Sequence, residues 1–189
     1  MPLKKYSKIS SIICVLVIII AVFMNLKWIG KIIYPLYYEE YIKKYSYKYD
    51  IDPILVASII KVESKYYKQA KSHRGAKGLM QISSITGRWA AEEIGILDYN
   101  EDYLYDPEIN IMIGCWYLNK LHKQFNNDIR LVLTAYNGGS GNVEKWLKNP
   151  MYSSDGKKLD HIPFTETKEY VEKVLKTYKI YRFLYKNIL

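Results

Sequence analysis

The chain has 189 residues, 15% of them aromatic with twenty Tyr, and a formal net charge of +9. That length and composition exclude a disordered polymer, and two cysteines, Cys14 and Cys115, exclude a disulfide framework. The charge is uneven: residues 1–38 carry five Lys and no acid, whereas residues 39–189 carry 23 basic against 19 acidic side chains. So mild a surplus does not by itself rule out nucleic acid, but no basic stripe interleaved with aromatics supports it, and nucleic acid is not expected as a partner. An anionic polymer matches the balance equally well.

The first feature in chain order is Ile9–Leu26, "ISSIICVLVIIIAVFMNL", 18 residues without a charge. As a helix it would be roughly 27 Å long, close to the ~30 Å hydrocarbon core of a bilayer. Lys4, Lys5 and Lys8 precede it, so residues 1–8 are expected in the cytoplasm and residues 9–26 as a single transmembrane anchor. A cleaved signal peptide is the competing reading; it needs a small-residue cleavage site, and "VFMNLKWIGKIIYP" is bulky throughout. Residues 27–36 then form a short linker, and residues 37–189 one extracytoplasmic, mainly α domain.

Within that domain "YYEEYIKKYSYKY" reads as a charged amphipathic helix. Asp52-Pro53 is a helix start, with Asp at the N-cap and Pro at the first helical position, and the helix runs through "ILVASIIKVES". An irregular stretch containing Gly75 and Gly78 follows. Asp106-Pro107 repeats the start signal ahead of "EINIMIGCWYLNKLHKQF", and "DIRLVLTAY" is a further helix ending at "NGGSGN". The glycines there suit a C-cap, and the polar residues are N-cap candidates for a helix at "VEKWLK". The last helix, "TETKEYVEKVLKTYKIYRFLY", places Tyr170, Val171, Val174, Leu175 and Tyr178 on one face. Strand signals are weak. Cys115 reads as a small buried thiol, and the spacing of His73, His122 and His161 shows no ligand pattern, so no metal or other cofactor is expected.

One residue points to chemistry. At 100° per residue Glu63 falls within about 20° of Val56 and is flanked by Ile59 and Ile60, so it lies on the apolar face at the C-terminal end of its helix. Desolvation and the negative helix end both disfavour a carboxylate there, and a raised pKa is expected. A carboxyl that holds its proton near neutrality is what general-acid cleavage of a glycosidic bond requires. The plain alternative is a solvated glutamate where the helix ends. No Asp or Glu follows from Ser64 through Ala91.

The residues after Glu63 resemble the soluble-lytic-transglycosylase catalytic domain (glycoside hydrolase family 23, lysozyme-like superfamily) in four ordered blocks. These are "ESKYYKQAKSHRGAKGLMQI", "YDPEINIMIGCWYL", "AYNGGSGNV" and "IPFTETKEYVEKVL", together spanning about residues 37–185. Gly138 stands where Ala is more usual in the family. The resemblance implies a lysozyme-like helical fold and cleavage of the MurNAc–GlcNAc β-1,4 bond of peptidoglycan. It also implies a single Glu acting as acid and then base, with the substrate's own 6-hydroxyl as nucleophile and a 1,6-anhydro end as product. An internal nucleophile has a high effective concentration, which lessens the need for a second carboxylate.

Carried over by position, the resemblance makes Glu63 the acid/base. It places Ser72, Gly78, Met80, Gln81, Tyr136, Asn137, Glu166 and Tyr170 in substrate binding, with Glu166 equally well read as a favourable charge in a helix's first turn. Expected partners are peptidoglycan glycan strands and, through the N-terminal helix, the cytoplasmic membrane; the domain is expected to act as a monomer facing the cell wall. Two alternatives stand beside this reading. One is a hydrolysing muramidase on the same fold, for which Glu166, Glu92 or Glu93 would have to activate water. The other is an inactive wall-binding protein that has kept the fold.

Overall fold

A computed structural model of the chain describes residues 3–187 and residue 189, with the side chains of 3–10, 23 and 24 outside the description. The expected cytoplasmic segment, residues 1–8, therefore falls outside the described side chains. The chain divides into two compact units, residues 1–36 and residues 37–189.

The first unit holds α1 (Leu3–Met24) and α2 (Leu26–Ile33). The segment expected to be a linker is thus largely helical. The helix pauses at Asn25, whose side-chain amide donates back to the Ala21 carbonyl at 2.8 Å. Among the described residues no single helix is long and apolar enough to cross a membrane; Ser11–Val22 and Leu26–Ile33 pass that test only as a pair, bent by 57°.

The second unit is helical: α3 (Glu39–Lys48), α4 (Pro53–Glu63), α5 (Ser84–Ile94), α6 (Pro107–Gln124), α7 (Ile129–Gly138), α8 (Ser140–Leu147) and α9 (Thr165–Tyr185), with a 3-10 turn at Glu101–Tyr105. Among the described residues extended pairing is limited to the single bridges Lys71–Lys77 and Lys77–Ile82. Three helix starts are built alike. Asp52, Asp106 and Asp128 each accept a hydrogen bond from a backbone N–H one turn in, at 2.8–3.1 Å, and Pro53 and Pro107 fill the first helical position. The expected polar cap of α8 is absent: the helix begins at Gly139, φ +88°, with no side-chain cap. The preceding helix must turn sharply there, which favours a residue free of a Cβ.

The sequence reading passed over α5. It is bounded by Ser83, whose hydroxyl accepts from Thr86 N, and by Gly95 in the left-handed region at φ +75°. Those two signals were legible, and the glycines before them masked them.

The core is centred on α4, where Ile54 through Ile60 are all buried, and α4 packs most extensively on α9. α9 turns Tyr170, Val171, Val174 and Tyr181 inward, and its Tyr178 hydroxyl donates to Asp52, the cap of α4. α6 packs against α3, α5 and α7, burying Ile111, Ile113, Cys115 and Leu118 completely. Burial pushes the Cys115 thiol up to about 12, so it is an inert packing group.

Candidate active site

The loop between α4 and α5 is the sequence's acid-free run, and it is pinned from below by one side chain. Asn110, fully buried on α6, accepts from Met80 N at 2.7 Å and donates to Lys77 O at 3.0 Å and to Leu104 O at 2.8 Å. Its amide thereby pairs Met80 N and adds a second donor to the Lys77 carbonyl, which already accepts from Ile82 N at 3.0 Å. Gly78 makes the close approach feasible: its φ is +78°, and a Cβ there would lie 2.0 Å from the Leu104 carbonyl oxygen and 2.3 Å from Asn110 Nδ2. Gly114 does the same for Met80, whose sulfur would stand 2.3 Å from an added Cβ.

Above this base an open cleft of about 590 Å³ is lined by Glu63, Ser72, Gln81, Tyr136, Asn137 and Glu166. The structure thus brings together six of the nine residues nominated from sequence. The remaining three, Gly78, Met80 and Tyr170, pack behind the cleft lining. Gly78 packs against Leu104 and Asn110, and Met80 is fully buried, its carbonyl accepting from Tyr136 Oη at 2.8 Å. Tyr170 is 7% exposed, its hydroxyl buried beside Glu63.

Glu63 ends α4, partly exposed to the cleft, with its carboxyl set deep among apolar groups and tyrosines. Burial raises its pKa from the ordinary 4.5 to about 7. The Tyr170 hydroxyl, interacting with the carboxyl, opposes that rise, yet its Oη reaches full hydrogen-bond geometry with no protein atom among the described residues. In return, burial first and the nearby Glu63 charge second push the Tyr136 and Tyr170 hydroxyls well above the ordinary tyrosine value. Both hydroxyls stay neutral. A carboxyl with a pKa of about 7 keeps its proton well above the usual carboxylate range, as a general acid requires.

The other nominated side chains are partly committed. Ser72 Oγ accepts from Ala76 N at 3.0 Å, bracing the loop. Gln81, at φ +49°, turns its amide N–H groups to Gly78 O and Ala70 O, which leaves its side-chain oxygen to face the cleft. Glu166 is 71% exposed and paired with Arg74 at 3.2 Å. Its environment is the opposite of Glu63's. Glu92 and Glu93, nominated for a water-activating role, stand on α5 outside the cleft, with Glu93 paired to Lys120.

Sequence reasoning missed His73 and Arg74, which line the cleft from the loop. It also missed Ser83 and Thr86 from the first turn of α5, and Tyr117 from α6. Tyr117 lies against Tyr136, ring centroids 5.6 Å apart. The cap signal of α5 would have found Ser83 and Thr86; nothing local marks Arg74 or Tyr117. Among the described residues no group of His, Cys, Asp and Glu converges to hold a metal ion.

Residues 40–159 match the family model described as the transglycosylase SLT domain. The chain belongs to that family. It is 36% identical over 152 residues to the soluble lytic murein transglycosylase of Escherichia coli K12, covering 79% of this chain and 24% of that protein. It is 37% identical over 134 residues to a membrane-bound lytic murein transglycosylase C of Photorhabdus laumondii, covering 66% of this chain and 36% of that one. Among solved structures it resembles the 70 kDa soluble lytic transglycosylase of Escherichia coli, with a TM-score of 0.72 and 34% identity over 82% of this chain and 25% of that one. An inactive glutamate-to-glutamine variant of the Pseudomonas aeruginosa transglycosylase Slt also matches, with a TM-score of 0.72 and 31% identity over 81% of this chain and 25% of that one. The chain therefore spans about a quarter to a third of the length of these relatives.

Proposed function

We propose that the chain is a peptidoglycan lytic transglycosylase, held to the cytoplasmic membrane by its N-terminal apolar segment, with Glu63 as the sole acid/base. The observation that carries this is the contrast between the two cleft carboxyls: Glu63 is desolvated with a pKa of about 7, and Glu166 is exposed and tied to Arg74. Most hydrolases of glycosidic bonds use a second carboxylate to activate water or attack the sugar; the other carboxyl in this cleft, Glu166, stands at the exposed rim, paired with Arg74.

In the proposed reaction the Glu63 carboxyl gives its proton to the glycosidic oxygen as the C1–O bond of the MurNAc residue breaks. The resulting carboxylate then takes the proton of the same residue's 6-hydroxyl, whose oxygen bonds to C1 and closes the 1,6-anhydro ring. Glu63 ends protonated and no water is consumed. The half-buried Asn137 amide and the side-chain oxygen of Gln81 suit hydrogen bonding to sugar, and Tyr117 and Tyr136 supply ring surface. The N-terminal apolar segment supports anchoring, as do relatives named membrane-bound transglycosylases.

The test is mass spectrometry of fragments released from purified peptidoglycan by the full chain and by Glu63→Gln. Anhydro-ended, non-reducible muropeptides that vanish in the variant are expected. Reducing ends would instead establish hydrolysis, and fragments from the variant would remove Glu63 from the chemistry.

A further inference from the structure

The two helices of the first unit present different surfaces. α1 is apolar all round: between Ile12 and Val22 its large side chains are each about half exposed or more, on every side of the helix. α2 is two-faced. At about 100° per residue, Trp28, Ile32, Ile29, Ile33 and Leu26 fall within one arc of about 160°, and Lys27 and Lys31 stand together nearly opposite its centre. None of the α2 residues is buried, and Trp28 and Ile32 are 65% and 61% exposed. Exposed apolar surface of this kind, backed by lysines and continuous with an apolar helix, matches the boundary of a lipid bilayer, which is apolar below and anionic or polar above.

Length points the same way. Residues 9–24 of α1 carry no charge, and 16 residues make about 24 Å of helix, about 6 Å short of a ~30 Å hydrocarbon core. An amphipathic helix sinks about 5–10 Å into the headgroup boundary, so α2 at that depth makes up the shortfall. The bend permits it. α2 leaves α1 at 57°, and α1 tilted by about 20° in the same sense, an ordinary tilt for a spanning helix, brings α2 to within about 15° of the membrane plane.

Building on the membrane anchoring read above, we propose that α1 alone crosses the bilayer and that α2 is a membrane-surface helix. Its Ile29, Ile32 and Ile33 face is seated in the lipid boundary on the C-terminal side of α1, with Lys27 and Lys31 turned to headgroups and water. Trp28, at the edge of the apolar arc, sits at headgroup level.

The test places spin labels one at a time on the full chain in vesicles of equal parts phosphatidylglycerol and phosphatidylethanolamine. Cys14→Ala removes the exposed native thiol, and Cys115 is buried. Depth is read from the relative access of oxygen and a water-soluble nickel chelate at Val17→Cys, Lys27→Cys, Ile29→Cys, Lys31→Cys, Ile32→Cys and Ile33→Cys, with circular dichroism of each labelled chain to confirm its helix content. The label at 17 should lie near the midplane. Labels at 29, 32 and 33 should lie roughly 5–10 Å inside the headgroups and those at 27 and 31 at or above them, so that depth along α2 follows the helical repeat. Depth that changes steadily from 27 to 33 would make α2 a continuation of the span, and water access at all five α2 sites would take it off the membrane. Either result overturns the proposal while a deep label at 17 keeps the anchor. Shielding of 29, 32 and 33 from both probes would mean that protein covers the face, and would overturn it too. A label at 17 in water would remove the anchor and this proposal together.

Discussion

Replacing Glu63 by Gln should stabilise the protein, by an amount that grows as pH rises from about 4.5 to about 7 and is constant above that. The folded protein holds the Glu63 proton more tightly than the unfolded chain does, with a pKa of about 7 against the ordinary 4.5. Between those two values the native state binds the extra proton, so folding stability falls as pH rises and the loss is complete above about 7. At 1.36 kcal/mol per pKa unit the penalty approaches about 3 kcal/mol. Gln is neutral at every pH and close to the protonated carboxyl in shape, so it escapes that penalty. The variant should match the parent near pH 4.5 and exceed it by about 2–3 kcal/mol at pH 8, which for a domain of this size is roughly 5–10 °C in Tm. Thermal melts of both proteins across pH 4.5–8.5 read this directly, with the difference between the curves cancelling every other titrating group. A difference that does not vary with pH, or a parent more stable than the variant at pH 8, would mean that Glu63 is not desolvated and would remove the physical basis for its role as acid.

The same proton sets the rate profile: kcat/KM should fall about tenfold per pH unit above about 7, as the free enzyme loses its acid. A profile flat from pH 6 to 9 would contradict it. Two loop glycines separate backbone strain from steric clash. Gly75→Ala, at φ +82° with nothing within 4 Å, should cost only the left-handed conformation, about 1 kcal/mol. Gly78→Ala, at a similar φ but 2.0 Å from a backbone oxygen, should cost at least about 3 kcal/mol in denaturant unfolding. Similar losses at the two sites would show that the loop gives way at Leu104.

What the sequence disclosed and what it withheld divide along chain distance. The position of Glu63 on an apolar helix face rests on Val56, Ile59 and Ile60, all within seven residues, and the structure buries all three. The Asp-Pro starts of α4 and α6 are equally local, and both cap as expected. Gly78 and Met80 show how a motif conceals roles that depend on what lies behind it. "GLMQ" reads as one functional block, yet only Gln81 of the four lines the cleft, while Gly78, Leu79 and Met80 pack inward onto α6 and the 3-10 turn.

The pairings that decide the site's chemistry span longer distances: Asn110 to Met80 across 30 residues, Tyr136 to Met80 across 56, and Arg74 to Glu166 across 92. No periodicity records these, because each depends on how α6, α7 and α9 converge on one loop. The consequence is a division of labour that the linear motif cannot express. The loop supplies no acidic side chain near Glu63, α6 fixes the loop's shape through a single amide, and α9 supplies both the buried Tyr170 beside the acid and the exposed Glu166 at its rim. An isolated α4 would present an ordinary carboxylate; convergence of the other elements is what lifts its pKa into the working range.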